Sequence, residues 1–367
     1  PPGEGLLDLG GADLGEAVRP NDDGTVSYDK VAGITTDSLK DTTVTVTDAQ
    51  NGNGISGGFK NVQLTDTADL KVKGTLQLAG STAGGNLVAT NGNNPGNLNV
   101  QDRSVATLGR EDANNQGTLG NVTLKDSGIL NVIGQGRAEF TTDNIVATGG
   151  GTTAVVNVSG ATLNTQQIDP TNGLSKLNIT NGAVHAAGDV KVNDLALAGG
   201  VLAAHEAGGA AGTPDGGDIT INNKLSGQGS VVADKTLNLT EGYTGVDGSA
   251  DVLTLQAGES ITAAGKDLKQ AAGGKLTVVA GGTIEAANIS ATNVAGGTIE
   301  AANISATNVA AKKLTASGDV AVDGGVLNLT GTGTDVSTVD SLKLTNGTQA
   351  TVADLTLDGA NKTLTVG

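Results

Sequence analysis

From about residue 42 onward, apolar and polar positions alternate in short runs, each closed by Gly, Asn or Asp. TVTVT (43–47), NVQLT (61–65) and TLQLA (75–79) open the series, and ILNVI (129–133), VVNVS (155–159) and KLNIT (176–180) continue it. TLNLT (236–240), VLTLQ (252–256), KLTVV (275–279), VLNLT (326–330), SLKLT (341–345) and DLTLD (354–358) carry it to the end of the chain. A period of two is that of a strand with one buried face, and the punctuating residues are those that turns favour. No long amphipathic helix interrupts the pattern. An antiparallel sandwich or barrel would show hairpin signals and a solvated face every ~8–12 residues. Short strands and tight small-residue turns that recur without end predict instead an all-β chain, folded as a parallel β-helix, or β-solenoid.

One stretch sharpens this expectation. Residues 281–295 read GGTIEAANISATNVA, and residues 296–310 repeat the same fifteen letters. A solenoid accepts such an insertion because each added unit stacks on its neighbour and buries its own face. Across and beyond the two copies, Val279, Ile284, Ile289, Val294, Ile299, Ile304, Val309 and Leu314 stand five apart. Two residues before each stands a residue that is small in every case but Lys312. This spacing predicts a narrow coil over 277–314, with the apolar residue inward and the small residue two earlier on the same face. The stretch resembles a pentapeptide-repeat coil. A four-sided coil of that kind takes twenty residues per turn, whereas a unit of fifteen closes a three-sided one, and the spacing leaves both open. Taking ~20 residues per rung, residues 42–367 would form about 16 rungs stacked ~4.8 Å apart.

Residues 1–41 differ in texture. GLLDLGGADLGEAV has a helical spacing broken by Gly, and NDDGT reads as a turn. They are expected to form an N-terminal cap or the end of a preceding module, since a solenoid edge needs cover. The first residues, PPGEG, read as those of a processed or excised fragment whose targeting parts lie elsewhere.

Composition narrows the function classes. Aromatic residues are 1% of the 367, namely Tyr28, Phe59, Phe140 and Tyr243, so the buried surface must come from stacked Val, Ile, Leu and Ala. A formal net charge of −17 argues against nucleic acid and anionic membranes as partners. Without cysteine there is neither a disulfide frame nor a thiolate metal site. No run of 18 apolar residues offers a membrane-spanning helix.

Candidate chemistry is sparse. His185 and His205 are the two imidazoles, both among small residues, with no triad or HExxH spacing around them. Both are expected to be surface residues. The carboxylates of NDDG, TPDGGD, GVDG and AVDGG sit in Asp-Gly turns. Calcium is the one ion they would suit, but the ordered GGxGxDxxx series is absent. Cleavage of acidic polysaccharides would need clustered carboxylates, basic residues and aromatic platforms, which this chain disperses. Asn121, Asn157, Asn178, Asn238, Asn288, Asn303, Asn328, Asn346 and Asn361 each begin an Asn-x-Ser/Thr triplet. In so Asn- and Thr-rich a chain these are expected from composition, and Asn at strand ends can stack into hydrogen-bonded ladders between rungs. Thr43, Thr45 and Thr47 share a strand face in a way that could order water, but the pattern does not recur at the rung period. The expectation is no catalytic, cofactor or metal residue.

The strand texture, with NLT, NVS and GG turns over about residues 42–367, resembles the passenger regions of type V secreted bacterial surface proteins, the autotransporter adhesins and filamentous-haemagglutinin-like proteins. That resemblance implies a right-handed parallel β-helix on or shed from a bacterial cell. The expected function is then a non-enzymatic extracellular adhesin or stalk, acting on a host or neighbouring-cell surface. The alternative is a subunit that assembles with copies of itself into a surface layer or filament. A small-molecule substrate is not expected. No C-terminal membrane barrel follows the resemblance through, which leaves the secretion route open.

Overall fold

The computed structural model describes residues 97–150, 153–169, 171–205 and 216–367, and before residue 97 only the backbone of short strands between Val18 and Ala89. The helical spacing near the N-terminus and the side chains of Thr43, Thr45 and Thr47 lie outside the described residues. Strand accounts for 65% of the chain, and among the described residues the only helical turn is a 3₁₀ turn at Gly333–Asp335. The core therefore rests on sheet alone. Thr25–Tyr28 already lies parallel to Thr43–Val46, inside the stretch expected as a cap. Contacts divide the chain into two compact units, Pro1–Val192 and Asn193–Gly367.

In the first unit, Asn97–Val100, Val105–Leu108 and Gln116–Thr118 follow one another around one turn. The next strand, Val122–Lys125, returns to lie parallel on the first, with Leu98 opposite Val122. Val105 likewise meets Ile129, and Gln116 meets Glu139. Every third strand thus falls on the same face, which makes a β-helix-like coil of parallel strands. Alternate side chains point inward and stack into columns. Leu98, Val122, Ile145, Ile168 and Val190 form one column. Ala106, Leu130, Val156 and Leu177 form a second, and Phe140, Leu163 and Val184 a third. All are buried, and each large aliphatic contributes about 1.5–3 kcal/mol on leaving water.

Turn length varies along the chain. Thr107, Asn131, Asn157 and Asn178, one above another on a single face, are separated by 24, 26 and 21 residues. The strands keep register while corners absorb the difference. Gly109 shows what a tight corner requires: its φ is +87°, and a Cβ there would lie 2.1 Å from the Ile133 carbonyl oxygen and against the Phe140 ring. Buried carboxylates close other corners. The Asp169 carboxylate accepts the N–H groups of Ala147 and Asn172, each at 3.0 Å.

The second unit repeats the scheme, with Ile219 opposite Leu237, Gly229 opposite Leu253, and Tyr243 opposite Leu268. At the duplicated stretch the coil tightens. The strand Asn288–Ala301 bends around all three faces: Ile289 lies on Leu268, Val294 on Val278, and Ile299 on Ile284. In the following strand Asn303 faces Asn288, Ile304 faces Ile289, and Val309 faces Val294. The step is 15 residues, so one copy of the repeat is one three-sided turn. Five residues cannot reach far enough for longer sides, which is why these turns are the shortest in the unit.

Two details of the five-residue row differ from expectation. The row starts at Ile284, because the preceding step takes 16 residues and sets Val278, not Val279, against Val294. Val278 is fully buried, whereas Val279 is only half-buried. The small inward partner also follows the large residue rather than preceding it. Ala286, Ala291, Ala306, Ala311 and Ala316 are buried two positions after Ile284, Ile289, Ile304, Val309 and Leu314. The residues two positions earlier, from Gly282 to Thr307, stand half-buried beside the corners. A side of five residues has room for one bulky side chain and one methyl before the backbone must turn.

Further along, the carboxylate of buried Asp340 accepts the N–H of Asn361 at 2.8 Å and of Lys362 at 3.2 Å. These backbone donors hold its carboxyl below the usual carboxylate range. A depressed value means that its stabilising contribution is complete above the ordinary range and fades as pH falls through the folded one. Thr363–Val366 then lies on Ser341–Leu344, with Leu364 and Val366 continuing the core columns yet 56% and 73% exposed.

If one copy is one closed turn, deleting residues 296–310 should leave a β circular-dichroism spectrum and a cooperative unfolding transition unchanged in form. Deleting only residues 296–300 keeps the five-residue phase but leaves too little chain to close a turn. That variant should lose the transition or lower its midpoint sharply; equal behaviour of the two would contradict the assignment.

Candidate functional site

Outward positions of the coil carry the polar chemistry, and parallel register brings like residues together. The Asn157 Nδ2 donates to Asn131 Oδ1 at 2.9 Å, and Asn178 Nδ2 donates to Asn157 Oδ1 at 2.7 Å. Asn131 in turn donates to Thr107 Oγ1 at 3.3 Å. A second column in the other unit runs from Asn308 to Asn293 at 2.8 Å and from Asn293 to Thr277 at 3.0 Å. A third joins Asn303 to Asn288 and Asn288 to Asp267, each at 2.9 Å. In a ladder of this kind each amide gives one N–H and accepts one, and the polar face gains direction without burial. Asn157, Asn178, Asn288 and Asn303, all first residues of Asn-x-Ser/Thr triplets, are thus occupied within the fold.

Beside the third column a groove of about 300 Å³ runs across successive turns of the second unit. Its walls include Asp267, Lys269, Asn288, Ser290, Asn303 and Ser305. It offers amides, hydroxyls and charges of both signs, but no aromatic platform. A shallower depression of about 400 Å³ follows the small residues Gly281, Ala295, Gly296, Gly297 and Ala310. Among the described residues no group of three or more His, Asp or Glu gathers where a metal ion could sit.

The two histidines differ. His185 is half-buried on an outward position of the first unit, opposite Asn164. His205 departs from the surface position expected of it. Its side chain is 19% exposed, and its Nδ1 lies 2.9 Å from Oδ2 and 3.2 Å from Oδ1 of Asp234, whose side chain is fully buried. The partners stand 29 residues apart. The strands Val190–Ala204 and Ile219–Ala233 both end in Ala, so Ala204-His205 and Ala233-Asp234 are equivalent in the coil. The Asp234 N–H donates to the Ala204 carbonyl at 3.1 Å and fixes that equivalence. The matched strand ends were the one signal in the sequence that could have found the pair.

Its chemistry is that of a clasp. A buried carboxylate needs a partner, and the imidazole N–H supplies it. Gly216 closes the other side, where a Cβ would lie 2.3 Å from Asp234 Oδ2. Among the described residues the His205 ring bonds to the Asp234 carboxylate, and no nucleophile beside it completes a triad. No family model, no curated protein and no solved structure matches the chain.

His205→Ala should leave the Asp234 carboxylate buried without its partner and cost about 2–3 kcal/mol, read as a lower midpoint in urea. Removing both groups, in His205→Ala with Asp234→Ala, should recover part of that loss. If the single and double variants fall equally, the pair does not act as a clasp.

Proposed function

We propose that this chain is a right-handed β-solenoid displayed on or shed from a bacterial cell, where it serves as a non-enzymatic adhesin or stalk. The stacking of the duplicated turn on its copy, from Thr283 on Thr298 to Ala295 on Ala310, carries this reading. Such a coil can be lengthened turn by turn, and its outer faces present the same polar groups repeatedly. Binding then arises from many weak contacts along a face, so that avidity and not any single pocket sets the strength. The groove beside Asn288 and Asn303 adds amides, hydroxyls and charges of both signs to that surface. The partner is a host or neighbouring-cell surface; no cofactor is assigned.

Beads coated with the purified protein should retain cells at high coating density and release them steeply as the density is lowered. Turnover of acidic glycans by the soluble protein would overturn this reading in favour of an enzyme.

A second reading rests on the parallel pairing by which one turn stacks on the next: copies of the chain assemble into a surface layer or filament. Sedimentation at rising concentration should then show growing species. A single unchanging species would eliminate assembly.

A further inference from the structure

The sequence contains six Asn-Gly pairs, and three fall among described residues: Asn172-Gly173, Asn181-Gly182 and Asn346-Gly347. Asn-Gly is the pair in which a backbone amide most readily attacks the preceding side chain, because glycine places no Cβ in the way. The three differ in what holds them.

Asn172-Gly173 is tied to Asp169. The Gly173 N–H donates to the Asp169 carbonyl at 3.1 Å, and the Asn172 N–H to its carboxylate at 3.0 Å. Gly182 is pressed against the neighbouring turn, where a Cβ would meet the Ala161 carbonyl oxygen at 2.5 Å. Asn346 and Gly347 form the middle of a turn closed by the Thr348 N–H on the Thr345 carbonyl at 3.3 Å. Their φ angles, +54° and +74°, are those of a type I′ turn. Both residues are exposed, a Cβ at Gly347 would meet nothing within 4 Å, and its N–H has no partner among the described residues.

We propose that Asn346-Gly347 is a site of spontaneous covalent modification, a slow chemical release built into the corner of a turn. The Gly347 nitrogen gives up its proton to hydroxide and bonds to Cγ of Asn346. The bond from Cγ to Nδ2 breaks, and ammonia leaves with a proton taken from water. Water then opens the resulting five-membered imide at either carbonyl, giving aspartate or isoaspartate. No oxidant or second protein is needed.

The consequence lies across the coil. Asn346 Nδ2 donates to Asp323 Oδ1 at 2.5 Å, and Thr345 Oγ1 donates to the same oxygen at 2.7 Å. Together they staple this turn to the one before it. Conversion replaces the amide donor with a second carboxylate facing Asp323, and repulsion succeeds attraction. The isoaspartate product also lengthens the backbone by one carbon within a four-residue turn. The corner opens while the core columns beneath it remain.

Folded protein held at 37 °C and mildly alkaline pH, then digested after lysine and arginine, should show conversion in the peptide Leu344–Lys362, assigned by fragmentation to Asn346. It should run several-fold faster than at Asn181 or Asn172 in the same sample. In denaturant the three rates should converge, since only the fold separates them. Asn346→Asp should lower the thermal midpoint, and the gap should close when Asp323→Asn is added. Equal conversion at the three sites in the folded protein, or an Asn346→Asp penalty unaffected by Asp323→Asn, would overturn the proposal.

Discussion

A strand inside the coil has its backbone N–H and C=O groups bonded to the turn above and the turn below, and leaving such groups unpaired away from water is costly. That demand fixes the register of every turn on its neighbour. Once register is fixed, inward side chains must form columns, and outward ones must meet their equivalents a turn away. The aliphatic columns from Leu98 to Val190 and the amide ladder from Asn131 to Asn178 are two results of the same backbone pairing. Corners have no such constraint. They differ in length, and the positive-φ glycines and buried aspartates gather there.

Much of the fold was legible because a half-buried strand writes its period directly into the sequence. The fifteen-residue copy implies stacking by itself. The number of sides could not be read, since five-residue spacing satisfies three sides as well as four. Only the pairing of Asn288 with Asn303 distinguishes them. Spacing gives phase but not the position of the bend, so it does not tell on which side of Ile284 the small inward partner lies. Ala286 and Gly282 are equally small and equally distant from it. Only the backbone shows which of them lies within the straight side.

His205 illustrates a different limit. Composition and neighbours place it at the surface, yet the distance that matters is counted in turns. Asp234 lies 29 residues away along the chain and within hydrogen-bond reach across one. The same arithmetic hides the amide ladders, whose members are 21 to 26 residues apart in the first unit. Turns of unequal length remove the regular period that would have revealed them. Where length is constant, in the two copies, the ladder is visible by eye.

That constancy has a consequence beyond folding. A tandem copy in the coding sequence that spans one repeat adds one closed turn, with its column, ladder and corners already matched to both neighbours. Errors of replication can therefore change the reach of this protein in whole steps, with no misfolded intermediate between one length and the next. The geometry of a turn thus sets the length of coding sequence that can be added whole.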